Sequence, residues 1–329
     1  MEILVTMPDD ETRDDFFPPR LRERIESIGT VTWNESVENY TETELEERIR
    51  NIDVLVTGWG SPQVTEEVLS TADELGLIVH TGGSVANYVS ASVYKANIPV
   101  VSANDVMADH TAEHTIAALL AKQRAIPELA TSMKRGTWEY RGPDIRTLHG
   151  ATVGLIGLGS IGQRMLDHLA PFDPTVKIYD PYVNEVAIDD IPFATLTDMG
   201  DALSSDIVSI HAARTPETVG MISTEQLAQI PDNGVLVNTA RAEIVDEDAL
   251  LSELRSARLS AVLDVYHEEP LPPESPLRDL ENVLLTPHVG GSQIRPPLTE
   301  AVLDDVERFR DGEMLEYEIP RGQWETMTR

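Results

Sequence analysis

Cysteine is absent from this 329-residue chain. Disulfides, thiolate nucleophiles and cysteine-ligated zinc are therefore excluded. Lysine is nearly absent as well: Lys95, Lys122, Lys134 and Lys177 are the only four, and every other basic residue is arginine. No apolar run approaches the roughly 20 residues that a membrane-spanning helix needs. The opening segment Met1–Met7 has no basic flank and no long apolar stretch, so it reads as a first strand and not as a secretory leader. These absences set the expectation of a soluble, cytoplasmic chain with no membrane partner.

What is abundant is negative charge. The chain carries 57 acidic against 25 basic residues, a formal net charge of -32. Such a polyanion repels nucleic acid and anionic lipid, so neither is expected as a partner. The acids are spread along the chain instead of forming one tail, which argues against a disordered segment. A dispersed acidic surface with almost no lysine suggests adaptation to high salt, where screening relieves the self-repulsion. No metal site is expected. His110 and His114 lie one helical turn apart, but they lack the glutamate pattern of a zinc helix.

Length alone predicts about two domains. Apolar runs at Ile3–Thr6, Val31–Trp33, Val54–Thr57, Leu77–His80 and Pro99–Ser102 alternate with helix candidates at Arg20–Ile28, Glu42–Arg50, Thr65–Thr71 and Ala86–Lys95. That alternation predicts an α/β domain with a parallel sheet. A longer helix follows over about Ala108–Arg124, and Ala125–His149 is read as an irregular arm or surface loop. A second series has strands at Val153–Ile156, Val176–Tyr179, Ile207–His211, Val235–Asn238, Ala261–Val265 and Val283–Thr286. A last helix begins at Pro296-Pro297 and stops at Gly312, and the tail from Met314 shows no clear period.

The second series opens with a glycine-rich turn, Gly157-Leu158-Gly159-Ser160-Ile161-Gly162, after an apolar strand and before a helix. In this context Gly157 permits the tight turn, Gly159 lets backbone approach a pyrophosphate, and Gly162 allows close helix–strand packing. The helix start at Ser160-Ile161 offers free N–H groups to phosphate. Asp180, at the end of the next strand, stands where an acid meets the ribose hydroxyls. A carboxylate there repels a 2′-phosphate, so the expected cofactor is NAD.

Redox chemistry at a carbonyl also needs a proton donor, and histidine is the natural choice. Of eight histidines, His80, His211 and His288 stand at ends of expected strands, where open α/β sheets bind ligands. Three strand ends carry further chemistry: Asn238-Thr239-Ala240-Arg241, Asp264-Val265-Tyr266-His267-Glu268-Glu269-Pro270 and Thr286-Pro287-His288-Val289-Gly290-Gly291-Ser292. An arginine fork holds a carboxylate, and an acid beside a histidine favours imidazolium. For any one histidine, a ring satisfied by backbone is the plain alternative.

In order and in wording, these segments resemble the signature regions of the D-isomer-specific 2-hydroxyacid dehydrogenases. The resemblance runs through most of residues 76–312 and is weaker before them. It implies Arg241, Glu269 and His288 as the catalytic set. Arg241 would bind the substrate carboxylate, His288 would act as general acid/base and Glu269 would orient it. It implies cofactor contacts at Gly157, Gly159, Ser160, Ile161, Gly162, Asp180, His211, Thr239, Ala240 and Asp264, the last near the nicotinamide carboxamide. Trp59, Gly60, Gly83 and Ser84 would join Arg241 and His288 in binding substrate. The implied architecture is two doubly wound parallel-sheet domains, a Rossmann NAD-binding domain (105–298) inserted into a flavodoxin-like substrate domain (1–104 and 299–329). A homodimer through the nucleotide domain and the Ala125–His149 arm is also implied.

Two positions depart from the family pattern. The substrate turn reads Thr81-Gly82-Gly83-Ser84-Val85-Ala86-Asn87, without the usual second glycine followed by aspartate, and Ala213 replaces a usual proline. The first leaves the substrate open, and Trp59 either lines the substrate side or packs. The expected activity is interconversion of a 2-oxo acid and a D-2-hydroxy acid. Phosphoglycerate oxidation and glyoxylate or hydroxypyruvate reduction all fit, with the end at Arg329 leaving no room for an added regulatory domain. Formate oxidation fits poorly, because that branch resembles a glutamine at position 269. The competing reading is an NAD(H)-sensing corepressor-like binding protein on the same fold.

Overall fold

A computed structural model describes residues 1–138, 144–291 and 293–328. The chain divides into two compact units, Met1–Ala108 with Ser292–Arg329, and Asp109–Gly291. The first junction falls within one continuous helix, Asn104–Gln123.

Unit 1 is built on strands β1 (Glu2–Val5), β2 (Thr30–Trp33), β3 (Val54–Thr57), β4 (Leu77–His80) and β5 (Val100–Ser102). They lie in the order β2-β1-β3-β4-β5 and all pair in parallel. Every residue of β3 and β4 is buried, because helices cover both faces of the sheet. Two apolar clusters result, one around Phe16, Phe17 and Leu303, the other around Leu45, Ile78 and Trp324. The helix Arg295–Asp311 is tied to the helix Pro19–Ile28 by Arg24, whose guanidinium meets Asp304 at 2.6 Å and Glu307 at 2.7 Å. Fully buried Asp305 accepts the backbone N–H groups of Glu316 and Tyr317, which anchors the returning C-terminal segment.

Unit 2 carries β6 (Thr152–Ile156), β7 (Thr175–Tyr179), β8 (Ala194–Leu196), β9 (Ile207–Ile210), β10 (Val235–Asn238), β11 (Ser260–Leu263) and β12 (Val283–Leu285). The order is β12-β11-β10-β9-β6-β7-β8, again all parallel. The chain reverses its winding between β6 and β9, and an open sheet of this kind binds ligands beyond that switch point. In unit 1 the reversal lies between β1 and β3, and the segment Trp59–Ser61 follows it.

Three features depart from the sequence reading. The stretch read as irregular contains the helix Ile126–Lys134, set off by left-handed Ala125 and started by Pro127, with Glu128 in its first turn and Lys134 in its last. Tyr140, Gly142 and Pro143 of that arm lie outside the described residues, as does Ser292. The tail without a clear period forms the helix Arg321–Thr326, six residues that bury Trp324. The edge strand β8 is three residues long with Thr195 exposed, too short to stand out as an apolar run.

Candidate active site

The loop after β6 is a tight glycine turn. Gly157 has φ +100, and a Cβ there would sit 2.7 Å from the Ala212 nitrogen on the loop after β9. A Cβ on Gly162 would sit 2.5 Å from the Gly157 carbonyl oxygen, so helix and strand approach more closely than any side chain permits. Gly159 caps the helix Ser160–Leu169, and a Cβ there would meet nothing within 4 Å. Ser160 and Ile161 open that helix, so the positive end of its dipole lies at the turn. Asp180 accepts from Leu158 N–H at 2.7 Å and from Tyr182 N–H at 2.9 Å, which ties the tip of the turn to the end of β7.

Around the switch point the side chains are buried and committed. His211 bonds Ser209 through Nε2 at 2.8 Å, and burial holds it well below the ordinary histidine range, at about 4. It is therefore neutral. Thr115 donates to the Thr111 carbonyl, so the 2.8 Å contact to Thr239 is donated by the Thr239 hydroxyl. Thr239 and Ala240 are buried, at 6% and 8% exposed.

At the end of β10 the Asn238 side chain pins the next turn. It accepts from Ala240 N–H at 3.1 Å and donates to the Arg241 carbonyl at 2.9 Å. Arg241 Nη1 in turn donates to the Ala240 carbonyl at 2.6 Å. Burial lowers the Arg241 guanidinium from its ordinary value and the charge of Arg214 lowers it further, while Glu243 and Glu269 oppose both. Arginine keeps its charge through such shifts, so the loop presents a fixed cation.

The decisive contact is a carboxylate–imidazole pair. Glu269 Oε2 lies 2.7 Å from His288 Nδ1, and Glu269 Oε1 accepts from Tyr266 N–H at 2.9 Å. Both side chains are more than a third exposed, 44% for His288 and 36% for Glu269, so the pair can reach a ligand. His288 has φ +54, an uncommon backbone state for a residue with a side chain.

Asp264, 1% exposed, accepts three hydrogen bonds from the His288 loop: Thr286 Oγ1 at 2.6 Å, Val289 N–H at 3.0 Å and Gly290 N–H at 2.9 Å. His114 adds a 3.1 Å contact to Thr286 Oγ1. The Tyr266 hydroxyl lies 2.7 Å from the Thr286 carbonyl and 3.1 Å from the Leu263 carbonyl. Burial, helped by the Asp264 charge, pushes that phenol up to about 12, so it stays a donor. The sequence reading gave Asn238, Tyr266 and Thr286 no role of their own; Tyr266 and Thr286 act through partners across neighbouring strand ends, and Asn238 through the turn that follows it.

In unit 1, Trp59 stacks edge-on against Phe16 at 5.1 Å, with the Arg295 guanidinium 5.5 Å from its ring centre. It packs, whatever else it does. Gly60 follows with φ +81. Buried Ser102 donates to the Gly82 and Gly83 carbonyls, and Ser84 Oγ donates to the Thr328 carbonyl at 2.7 Å, so the Thr81–Ser84 turn is held from two sides. His80 is a buried structural histidine. It stacks on Tyr88 at 4.2 Å, bonds Thr57 Oγ1 at 2.9 Å, and burial holds it down at about 3.

Residues 116–290 match the family model described as D-isomer specific 2-hydroxyacid dehydrogenase, NAD binding domain. This chain belongs to that family. Among curated dehydrogenases of the family, it is 33% identical over 296 residues to the D-3-phosphoglycerate dehydrogenase of Methanocaldococcus jannaschii. That match covers 89% of this chain and 56% of the relative, so the chain spans little more than half of that protein's length. It is 30% identical over 280 residues to the glyoxylate reductase of Korarchaeum cryptofilum, covering 82% of each. Among solved structures, the TT0316 protein of Thermus thermophilus superposes with a TM-score of 0.75 at 28% identity, over 97% of this chain and 100% of that one.

As a member of these dehydrogenases, the chain binds a nicotinamide cofactor, NAD(H), in its Rossmann-type unit 2. The cradle fits that group: Gly157 and Gly162 sit where a Cβ would clash, Gly159 faces open space, and a helix begins directly after it. Among the described residues no helix is long and apolar enough to cross a membrane.

Proposed function

We propose that this chain interconverts a 2-oxo acid and a D-2-hydroxy acid, with His288 as general acid/base, Glu269 as its orienting carboxylate and Arg241 as the carboxylate clamp. The 2.7 Å bond between His288 Nδ1 and Glu269 Oε2 is the observation that carries this reading. With Nδ1–H committed to Glu269, proton exchange with the substrate runs through Nε2 on the opposite edge of the ring. When bound, NAD(H) would supply the hydride chemistry at C2. In the reductive direction His288 gives its proton to the oxygen developing at C2; in the oxidative direction it takes that proton back. Arg241 offers its planar fork to the carboxylate, the geometry that pairs two N–H donors with two oxygens. The carboxylate of Asp180 at the rim of the cradle favours NAD over NADP.

In unit 1 we assign Trp59, Gly60, Gly83 and Ser84 to substrate recognition. We assign the helix Ile126–Lys134 to a homodimer contact in the cytoplasm, because Ile126, Met133 and nearby Trp138 are 53%, 52% and 79% exposed. The test follows NADH oxidation in molar KCl against glyoxylate, hydroxypyruvate, pyruvate and phenylpyruvate, with D-3-phosphoglycerate and NAD in the reverse direction. Turnover that disappears in His288→Ala is the expected result. Turnover that persists in that variant would overturn the assignment of the acid/base.

A further inference from the structure

His288 is the one residue of the proposed pair whose backbone is strained. Its φ of +54 places a side-chain-bearing residue in the left-handed region, where a Cβ crowds the following carbonyl oxygen. Such strain persists only where the surroundings over-determine it. Two neighbours in sequence, Asp264 and Tyr266, supply that determination from the end of β11, and they act on opposite sides of His288.

On the N-terminal side, the Thr286 carbonyl accepts His288's own backbone N–H at 3.1 Å. The Tyr266 phenol meets the same carbonyl oxygen at 2.7 Å. On the C-terminal side, the carboxylate of Asp264 receives the next two backbone N–H groups, from Val289 and Gly290. Tyr266 reaches the partner as well, since its backbone N–H binds Glu269 Oε1 and aims Oε2 at the imidazole. One residue thus touches the anchors of both members of the pair, its phenol working on the histidine loop and its amide on the glutamate.

We propose that Tyr266, with Asp264, is a positioning residue for the His288–Glu269 pair: its phenol locks the end of β12 against the end of β11 and holds His288 in its left-handed backbone state. This rests on the assignment of His288 as acid/base. The ring of Tyr266 also packs against the apolar cluster of unit 2, so the hydroxyl and the packing have to be separated. Tyr266→Phe does this, because it keeps the ring and removes one donor.

The experiment compares wild type, Tyr266→Phe, Asp264→Asn and His288→Ala for kcat, KM, NADH affinity by fluorescence, melting temperature, and hydrogen exchange of the segment 283–291. Tyr266→Phe is expected to lower kcat about tenfold, the scale of one lost hydrogen bond at a reacting group. KM for the acid and NADH affinity should stay within about twofold, and exchange in 283–291 should speed up without a matching fall in melting temperature. Asp264→Asn, which sets an amide donor against backbone donors, should also lower kcat and speed exchange in 283–291, and that exchange serves as the test if Tyr266→Phe does not fold. Wild-type kcat in the folded variant, or a loss that tracks melting temperature, would overturn the clamp while leaving the acid/base standing if His288→Ala is inactive. Turnover retained in His288→Ala would overturn both.

Discussion

Glu269 and His288 are separated by nineteen residues and meet at 2.7 Å through Oε2 and Nδ1. The meeting follows from register: β11 and β12 are neighbours in the sheet, with Leu263 opposite Leu285, so the loops that follow them leave side by side. The glutamate uses its second oxygen on Tyr266 N–H, which leaves the carboxylate little freedom to turn away.

Replacing this carboxylate with its amide isostere should therefore be costly. Glu269→Gln can keep one backbone contact, but it no longer offers a charged acceptor to the imidazole. Turnover should fall by about 10²-fold, at the lower end of general acid–base contributions, with NADH affinity unchanged. Stopped-flow NADH oxidation with a fluorescence titration of the cofactor checks both halves, and an equal fall in affinity would point to a distorted fold instead.

The cradle gives a prediction about the cofactor alone. A methyl group at position 162 would press within 2.5 Å of the Gly157 carbonyl and force helix and turn apart. Gly162→Ala should weaken NADH binding by at least about tenfold, since it displaces the N–H groups that meet the phosphates. Asp180→Ala should instead narrow the gap between NADH and NADPH, because it removes the charge that repels a 2′-phosphate. Titration of both cofactors into both variants separates displacement from repulsion.

Two buried histidines make stability depend on pH. His80 sits at about 3 and His211 at about 4 in the folded chain, against the ordinary 6.5, because burial penalises the charged ring. Above 6.5 neither the folded nor the unfolded state protonates them, so their contribution is flat. As pH falls through 6.5 toward 4 and then 3, the unfolded chain binds protons that the folded chain refuses. Stability should then drop by up to about 1.4 kcal/mol per pH unit for each histidine. Urea unfolding at pH 7 and pH 5 measures this, and His80→Gln should reduce the difference. An unchanged difference in that variant would remove His80 as a source.

The charge of -32 predicts a salt requirement. Crowded carboxylates repel one another most at low ionic strength, and the Debye length shrinks from about 10 Å at 0.1 M to about 3 Å at 1 M. Melting temperature should rise steadily from dilute buffer to molar KCl. A flat profile would mean that local pairs such as Arg24 with Asp304 and Glu307 already offset the repulsion.

Much of this protein was legible from residue order. The alternation of apolar runs and amphipathic stretches specified two parallel sheets, because side-chain period is a local property. The nucleotide turn was legible for the same reason, since Gly157, Gly159, Gly162 and Asp180 act within one strand–turn–helix unit and the end of the next strand. Sequence order could nominate Arg241, Glu269 and His288 as strand-end groups, and only the family resemblance set Glu269 beside His288. That contact depends on which strands are neighbours and in what register. Tertiary structure alone decided that His80 and His211 are buried and neutral, that Trp59 leans on Phe16, and that the helix Ile126–Lys134 replaces an irregular arm. It also decided that Asp264 spends both carboxylate oxygens on the turn around His288. Burial, ring contacts and the second partner of a hydrogen bond come from residues distant in the chain, and no local pattern encodes a distant partner.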